Sequence, residues 1–249
     1  MYQFFIEDEN AAEDFVTIEG SDVNHIKNVL RMKPGEKIRV CTRNGQNYFC
    51  SISDITESFV RADILEKEAE STELPCRIYL FQGLPKNDKM EWIIQKTVEL
   101  GVYEVIPVAM KNCVVKLDDK KAKSKVTRWQ AIAESAAKQS KRSLIPEVKM
   151  PMSYKEAVAY AKKLDVKLVP YENEHGMAGT KAAMEQIKKG ESIAVFIGPE
   201  GGFAPEEIAL VQDEMQLISL GKRILRTETA GIAALAILGY QLESSDMIE

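Results

Sequence analysis

From residue 76 onward, short apolar runs typical of buried strands alternate with longer segments of helical periodicity. This alternation predicts a parallel β-sheet with helices on both faces, an α/β fold. The predicted strands cover 76–82, 102–108, 144–149, 166–170, 193–197 and 217–220, and the predicted helices cover 88–100, 123–140, 153–164, 180–189 and 228–242. In such a sheet, ligands bind at the carboxyl ends of the strands.

The first seventy residues have a different pattern. Strand-type runs at 2–6, 37–42, 48–55 and 59–65 are separated by turn signals, among them Asn44-Gly45, which predicts a hairpin. One helix is expected from Ser21, as N-cap, to Arg31. These features predict a small β-barrel. The acidic stretch 66–73 is expected to be a linker, so the domains are predicted as 1–71 and 72–249.

Composition narrows the class of protein. With 45% hydrophobic and 29% charged residues, the chain is expected to be soluble and globular, and no apolar run approaches the roughly 20 residues that cross a bilayer. An acidic N-terminus without a signal-peptide pattern predicts a cytoplasmic protein. Four cysteines without a C-x-x-C pair and only two histidines favour chemistry without disulfides or metal ions.

Charge is distributed unevenly along the chain. The net charge is −5, but residues 1–71 carry net −6 and residues 72–249 carry net +1. Residues 111–149 contain eleven basic and four acidic side chains, net +7. This stretch is either a solvated helix face or a surface that binds phosphates.

A glycine-rich loop, Gly198-Pro-Glu-Gly-Gly-Phe203, follows the buried strand that ends at Ile197. Its glycines allow positive φ angles and let backbone N–H groups approach a ligand. Neither G-x-G-x-x-G nor G-x-x-x-x-G-K-[ST] fits the spacing, which argues against a dinucleotide fold and a P-loop. A tight structural turn is the alternative.

A second polar loop, residues 221–230, precedes the last helix and contains Ile224 and Leu225, which would ordinarily fill a gap in the core. Thr227 is either an N-cap or part of a hydrogen-bonded group with Arg226 and Glu228. The last helix is apolar nearly all round, so we expect it to be buried in its own domain or in a subunit interface.

These two loops carry a resemblance that extends over the whole chain. Ile197 to Phe203 and Leu220-Gly-Lys-Arg-Ile-Leu-Arg-Thr-Glu-Thr-Ala230 resemble the motifs of the RsmE-type ribosomal RNA uridine methyltransferases of the SPOUT superfamily. Weaker support comes from residues 25–31, 96–101, 128–129 and 134–142. Ala204 departs from the family, because a Ser or Thr cap is expected there.

The resemblance implies a trefoil-knotted SPOUT-like C-terminal domain that binds S-adenosylmethionine, an N-terminal PUA-like barrel, and a homodimer formed through the C-terminal domain. The cofactor-binding residues that it implies are Pro170, Tyr171, Glu172, Ile197, Gly198, Pro199, Glu200, Gly201, Gly202, Leu220, Gly221, Ile224, Leu225, Arg226, Thr229 and Ala230. With the family in view, the expected RNA-binding residues are His25, Arg31, Lys86, Lys89, Arg128, Lys138, Lys141 and Arg142. Trp129 is expected in the core rather than stacked on a base.

The implied activity is methylation of uridine N3 in the decoding region of 16S ribosomal RNA on the small ribosomal subunit. Uracil N3 carries a proton that must leave, and a cation stabilises the resulting anion. Arg226 is the expected cation, and Glu200 or Glu228 either accepts the proton or holds backbone N–H groups. Two alternatives stay open: a SPOUT enzyme for a ribose 2′-OH or a tRNA base, and a non-catalytic ribosome-assembly factor.

Overall fold

The computed structural model describes residues 1–68, 71–174 and 176–244, which form two compact units. The N-terminal unit contains the described residues up to 73 together with residues 137–145. The sheet unit contains residues 74–136 and the described residues from 146 onward.

The N-terminal unit is built on a five-stranded sheet in the order β1-β3-β4-β5-β2. Its strands are β1 (Tyr2–Ile6), β2 (Phe15–Glu19), β3 (Lys37–Thr42), β4 (Asn47–Ile55) and β5 (Phe59–Glu68). Strands β1 and β3 pair in parallel, and the remaining pairs are antiparallel. Alternate apolar side chains such as Phe4, Val16 and Ile38 point to one buried face. The sequence predicts a small β-barrel here, and the five strands form a β half-barrel.

The predicted bounds of β1 and β3 are confirmed, and Asn44-Gly45 lies in the turn between β3 and β4. Strand β2 was not among the predicted strands, although its burial alternates with the period of two that marks a strand. Of the predicted linker 66–73, residues 66–68 belong to β5, and residues 69 and 70 lie outside the described residues.

The predicted helix near residue 21 is present as α1 (Ser21–Asn24), which continues as one π-helical turn over His25–Val29. The predicted N-cap is wrong. Gly20 is the N-cap, and its φ of 70° lies in a region that a side chain disfavours. The helix packs Val23 and Ile26 into the core of the half-barrel.

Residues 137–145 join the N-terminal unit through buried hydrogen bonds. The Gln3 amide donates to the Arg142 carbonyl at 2.6 Å, and the Asn47 amide donates to Ser143 Oγ at 2.8 Å. The Glu73 carboxylate accepts the Ser143 N–H at 2.8 Å and pairs with the Arg142 guanidinium. This segment is therefore held by specific polar contacts with residues far away in the chain.

The sheet unit contains the predicted parallel sheet, in the order β12-β10-β11-β6-β7-β8, with β9 also paired to β7. Its strands are β6 (Arg77–Gly83), β7 (Val102–Ala109), β8 (Glu147–Val148), β9 (Met152–Ser153), β10 (Val166–Pro170), β11 (Ser192–Ile197) and β12 (Gln216–Ile218). Every pairing is parallel. The stacked rings of Phe81 and Phe196, 4.4 Å apart, lie in its core.

In the part of the chain that the structure describes, six helices connect these strands or follow them: α2 (Lys89–Glu99), α3 (Asp119–Ser140), α4 (Tyr154–Ala161), α5 (Ala178–Glu185), α6 (Pro205–Ala209) and α7 (Thr227–Ser244). All the helices predicted after residue 76 are present, and their ends differ by a few residues. Trp129 on α3 is 3% exposed, which confirms its predicted place in the core. The four cysteines are free.

Helix α7 has a buried side and an open side. Ala234, Leu235 and Leu238 are buried, whereas Ala236 and Tyr240 are exposed. No helix in the described part of the chain is long and apolar enough to cross a membrane. Among residues 1–68, 71–174 and 176–244, no cluster of His, Cys, Asp and Glu has the arrangement of a metal site.

Candidate active site

Three loops of the sheet unit meet at one edge of the sheet. They follow β10, β11 and β12, which are neighbours in the strand order and end at Pro170, Ile197 and Ile218. Because parallel strands point the same way, these three loops open at the same edge. They enclose a cavity of about 650 Å³, within the size range of small-molecule and cofactor sites.

Fourteen of the residues that the sequence assigns to the cofactor line this cavity. They are Pro170, Tyr171, Glu172, Ile197, Gly198, Pro199, Glu200, Gly202, Leu220, Gly221, Ile224, Leu225, Arg226 and Ala230. The structure does not place Gly201 or Thr229 in the lining. A Cβ at Gly201 would lie 2.9 Å from Asn112 Cβ, so this glycine faces a neighbouring loop.

The lining also includes residues that the sequence did not assign to the cofactor: Lys89, Glu174, Phe203, Ser219, Lys222, Arg223 and Thr227. Most of them lie within or beside the predicted loops, so proximity in sequence was an available signal. Lys89 is the exception, because it begins α2 and was assigned to RNA. Only the fold brings it to this edge of the sheet.

The glycine loop is shaped by close backbone contacts. Gly202 has a φ of 67°, and its N–H donates to the Pro199 carbonyl at 2.9 Å. A Cβ on Gly83, at the end of β6, would lie 2.7 Å from the Pro199 nitrogen. The Asn112 amide donates to the carbonyls of Gly201 and Gly202 at 3.0 and 3.2 Å. The loop is therefore fixed from two sides.

Ala204 lacks the Ser or Thr side chain expected at this position, and neighbouring residues compensate for it. Its N–H donates to the Glu207 carboxylate at 2.9 Å, and the other carboxylate oxygen accepts the Lys111 N–H at 2.8 Å. Glu207 is buried. Helix α6 is thus capped at its first turn although its N-cap residue has no polar side chain.

The second loop places an apolar residue in the cavity wall. Ile224 is 85% exposed, so the expectation that it fills a gap in the core is wrong. Thr180 Oγ1 accepts the Ser219 N–H at 3.0 Å and donates to the Ser219 carbonyl at 2.9 Å, which anchors the start of the loop. The loop backbone thereby presents Ile224 and Leu225 to the cavity.

Thr227 is not an N-cap. Its hydroxyl donates to the Gly198 carbonyl at 2.6 Å and accepts from the Gln82 amide at 2.9 Å. Gln82 is fully buried at the end of β6, and its amide also donates to the Gly83 carbonyl. This chain of hydrogen bonds joins β6, the glycine loop and α7. The signal in the sequence is an amide that follows directly on the apolar run Ile78 to Phe81.

Lys89 lies between two carboxylates. Its Nζ is 3.1 Å from Glu200 Oε1 and 3.2 Å from Glu228 Oε2. Glu200 Oε1 also accepts the Lys86 N–H at 3.1 Å. Partial burial alone would raise the pKa of Glu200, but the backbone N–H groups and Lys89 outweigh it and hold this pKa below its ordinary value. The Glu200 hydrogen bond is the main cause that raises the pKa of Lys89.

Arg226 lines the same cavity and is exposed. Its guanidinium forms no hydrogen bond or ion pair with any residue that the structure describes, although Lys89, Glu200 and Glu228 are all paired. Within the described residues, the cavity wall therefore combines glycine-loop backbone, apolar side chains, carboxylates and the unpaired guanidinium groups of Arg223 and Arg226.

Comparison with known proteins decides the family. A family model described as "RNA methyltransferase domain" matches residues 72–239, and one described as "RNA methyltransferase PUA domain" matches residues 18–65. The ribosomal RNA small subunit methyltransferase E of Bacillus subtilis is 39% identical over 250 residues, covering 98% of each chain. The chain belongs to the RsmE-type RNA methyltransferase family.

Solved structures agree with this membership. A ribosomal RNA small subunit methyltransferase E from Neisseria gonorrhoeae bound to S-adenosylmethionine has a TM-score of 0.82 and 33% identity, covering 96% of this chain and 97% of its own. A Legionella pneumophila protein in complex with the same cofactor has a TM-score of 0.82 and 31% identity, covering 95% and 96%. These complexes agree with the cofactor that the sequence of this RsmE-type chain predicts.

The RNA-binding residues predicted in the sheet unit of this RsmE-type chain are Lys86, Lys89 and Arg128. The side chain of Lys86 is exposed. Arg128 is exposed on α3 and bonds Glu91 at 2.8 Å. Lys89 faces the cavity instead of an open surface.

The RNA-binding residues predicted in the N-terminal unit differ from one another in exposure and in pairing. His25 and Arg31 are exposed, and Arg31 has a positive φ of 54°. Lys138 bonds both oxygens of Asp22 at 3.0 Å, and Lys141 donates to the Met1 carbonyl at 2.7 Å. Arg142 is 3% exposed and paired with Glu73, so its guanidinium has no open face for a phosphate.

Proposed function

We propose that this protein transfers a methyl group from S-adenosylmethionine to N3 of a uridine in the decoding region of 16S ribosomal RNA, on the small ribosomal subunit in the cytoplasm. The observation that carries the proposal is the cavity at the edge of the parallel sheet. It is lined by the three segments assigned to the cofactor, in a chain of the RsmE-type family.

The residues of the cavity fit S-adenosylmethionine. Ile197, Leu225 and Phe203 offer apolar surface for an adenine ring. The carboxylates of Glu172 and Glu200 can accept hydrogen bonds from hydroxyl groups and stabilise a nearby positive charge. A Cβ on Gly198 would lie 3.3 Å from the Phe203 ring, so the close packing here favours glycine.

The cofactor, when bound, supplies an activated methyl group with its own leaving group. The protein positions the uracil and, by stabilising the anion, favours loss of the N3 proton. We assign to Arg226 the stabilisation of the uracil anion, because its guanidinium lines the cavity without a protein partner. Glu200 already accepts a backbone N–H and a lysine, and its lowered pKa makes it a weak base. Glu228 is paired with Lys89 as well and does not line the cavity, so we propose a holding role for both carboxylates, and the N3 proton passes to solvent as the anion forms.

We propose an RNA-binding surface on each unit. On the sheet unit it includes cations in the first half of α3, namely the exposed Lys120, Lys121, Lys123 and Arg128 and the half-buried Lys125. On the N-terminal unit, which the PUA model matches in part, it includes His25 and Arg31. Arg142 is left out of this surface because it is buried and paired within its own unit.

We also propose that the protein is a homodimer through the sheet unit, with the predicted trefoil knot in each chain. The open side of α7 supports the dimer, because Ile232, Ala233 and Ile237 are only half buried and Ala236 and Tyr240 are exposed. Light scattering coupled to gel filtration tests it. A dimeric mass is expected, and a monomeric mass at micromolar concentration would contradict this part of the proposal.

The deciding experiment is transfer of a labelled methyl group from S-adenosylmethionine to undermethylated small ribosomal subunits, followed by nucleoside digestion. N3-methyluridine is the expected product. A 2′-O-methyl nucleoside, or label in tRNA instead, would move the target to the alternative SPOUT substrates. Subunit binding without transfer and without saturable cofactor binding would favour the assembly factor.

A further inference from the structure

The unpaired guanidinium of Arg226 calls for an explanation. It lines a cavity whose wall contains Glu200, with Glu228 two positions further along the chain. A guanidinium and a carboxylate in one partly buried site ordinarily form a bidentate pair. A paired Arg226 would be less available to a developing negative charge, so a cation that occupies the nearby carboxylates would keep Arg226 available.

Lys89 is placed where it can pair with both carboxylates. Within the described residues, it is the one cation that forms an ion pair with Glu200 or with Glu228. Glu228 Oε2 has no exposed surface and no hydrogen bond, so the Lys89 ammonium at 3.2 Å is its sole countercharge. The two carboxylates share this one ammonium group.

The position of Lys89 in its helix is itself unfavourable. Lys89 is the first residue of α2, where the positive end of the helix dipole repels a cation. Glu228, in contrast, lies in the first turn of α7, where the dipole favours a carboxylate. A lysine at the start of α2 therefore depends on the two carboxylates, and its side chain is directed to the cavity rather than to open solvent.

We infer that Lys89 is a positioning residue of the methyl-transfer site, whose ammonium group holds Glu200 and Glu228 together and so keeps the Arg226 guanidinium free for the uracil anion. This inference rests on the proposed function and adds a role for Lys89 that differs from the predicted RNA contact. Without Lys89, Glu200 in the cavity wall and Glu228 two positions from Arg226 lose their shared cation and are available to pair with Arg226.

The test is a set of purified full-length variants: Lys89→Met, Lys89→Arg, Glu228→Gln and Lys89→Met/Glu228→Gln. Lys89→Met is expected to lower kcat about 100-fold, the scale of a misplaced catalytic group. Lys89→Arg is expected to retain most of the wild-type kcat because it keeps the positive charge. The double variant is more active than Lys89→Met alone, because fewer carboxylates compete for Arg226.

Lys96→Met is the matched control. Lys96 lies on the same helix, has a similarly exposed side chain and pairs with Glu99, but it does not line the cavity. Thermal unfolding checks that each variant folds. If Lys89 instead contacted RNA, its loss would raise KM for RNA and leave kcat unchanged. If it contacted the cofactor directly, Glu228→Gln would not restore activity. Either result would overturn the inference, as would full activity of Lys89→Met.

A readout without turnover separates this inference from the proposed function. In a crystal structure of Lys89→Met, Arg226 is expected within 4 Å of Glu200 or Glu228, at the distance of an ion pair. An unpaired Arg226 in that variant would overturn the inference. If the wild-type protein methylates no RNA, the proposed function fails, and this structure still decides what Lys89 does.

Discussion

The basic residues of the two units are used differently. In the N-terminal unit, Lys138 and Arg142 are bonded to Asp22 and Glu73, so their charges hold residues 137–145 in that unit. In the sheet unit, Lys89 holds two carboxylates while Arg226 faces the cavity without a partner. A count of charges along the sequence treats all four alike. Their pairing distinguishes a structural cation from one that can meet a ligand.

Among the variants that distinguish structural cations from cations that face a ligand, Arg226→Ala is expected to have the largest effect. Loss of a preformed charge at the reacting group lowers kcat about 1,000-fold. Because Arg226 is exposed and has no partner in the described structure, the fold and the cofactor cavity remain. Methyl transfer to small subunits measures the fall in kcat, and thermal unfolding checks that the fold is unchanged. Full activity would remove Arg226 from the mechanism.

The counterpart in the N-terminal unit is Arg142→Met, which leaves the Glu73 carboxylate without its guanidinium. Loss of one partner of a largely buried pair is expected to lower the free energy of unfolding by about 3 kcal/mol. Hydrogen exchange of amides in the N-terminal unit measures this loss. Both tryptophans, Trp92 and Trp129, lie in the sheet unit, so their fluorescence monitors that unit separately.

A surface pair provides the control for Arg142. Lys27 pairs with Glu57, whose side chain is 92% exposed, so Lys27→Met is expected to change stability by less than about 1 kcal/mol. Equal losses in Arg142→Met and Lys27→Met would show that burial does not distinguish the two pairs.

A smaller effect is expected when Thr227→Val removes the hydroxyl between Gln82 and Gly198. The glycine loop loses its bond to α7, and kcat/KM is expected to fall about 10-fold, equivalent to one hydrogen bond of ordinary strength. Thr227→Ser keeps the hydroxyl and is expected to keep activity. A serine variant as impaired as the valine variant would show that packing, not the hydrogen bond, fixes the loop.

The smallest effect concerns acid stability of the sheet unit. Because the folded pKa of Glu200 is below its ordinary value of 4.5, its contribution to stability is fully present above that pH. The contribution is lost as the pH falls from 4.5 through the lowered folded value. Tryptophan-monitored unfolding of wild type and Glu200→Gln is expected to differ at pH 6 and to converge once the pH lies below the lowered folded pKa of Glu200. A difference that persists at low pH would contradict this assignment.

The sequence was most informative where a local pattern has one structural outcome. Strands β1, β3 and β10 were predicted with their observed bounds, because alternating or continuous apolar runs flanked by turn residues have few other solutions. The two loop motifs likewise contain eleven of the assigned residues that line the cavity, and the resemblance that they carry implied three more, Pro170 to Glu172. Residues 137–145 were harder, since their place depends on hydrogen bonds to Gln3, Asn47 and Glu73.

The sequence by itself thus determined the α/β class, the family resemblance and the loops that form the site, because each depends on residues close together in the chain. The pairing of charged side chains was decided only by tertiary structure. Lys89 and Glu200 are more than one hundred residues apart, and so are Asp22 and Lys138. An ion pair requires its charges within about 4 Å, and only the folded chain brings residues so distant in sequence to that separation.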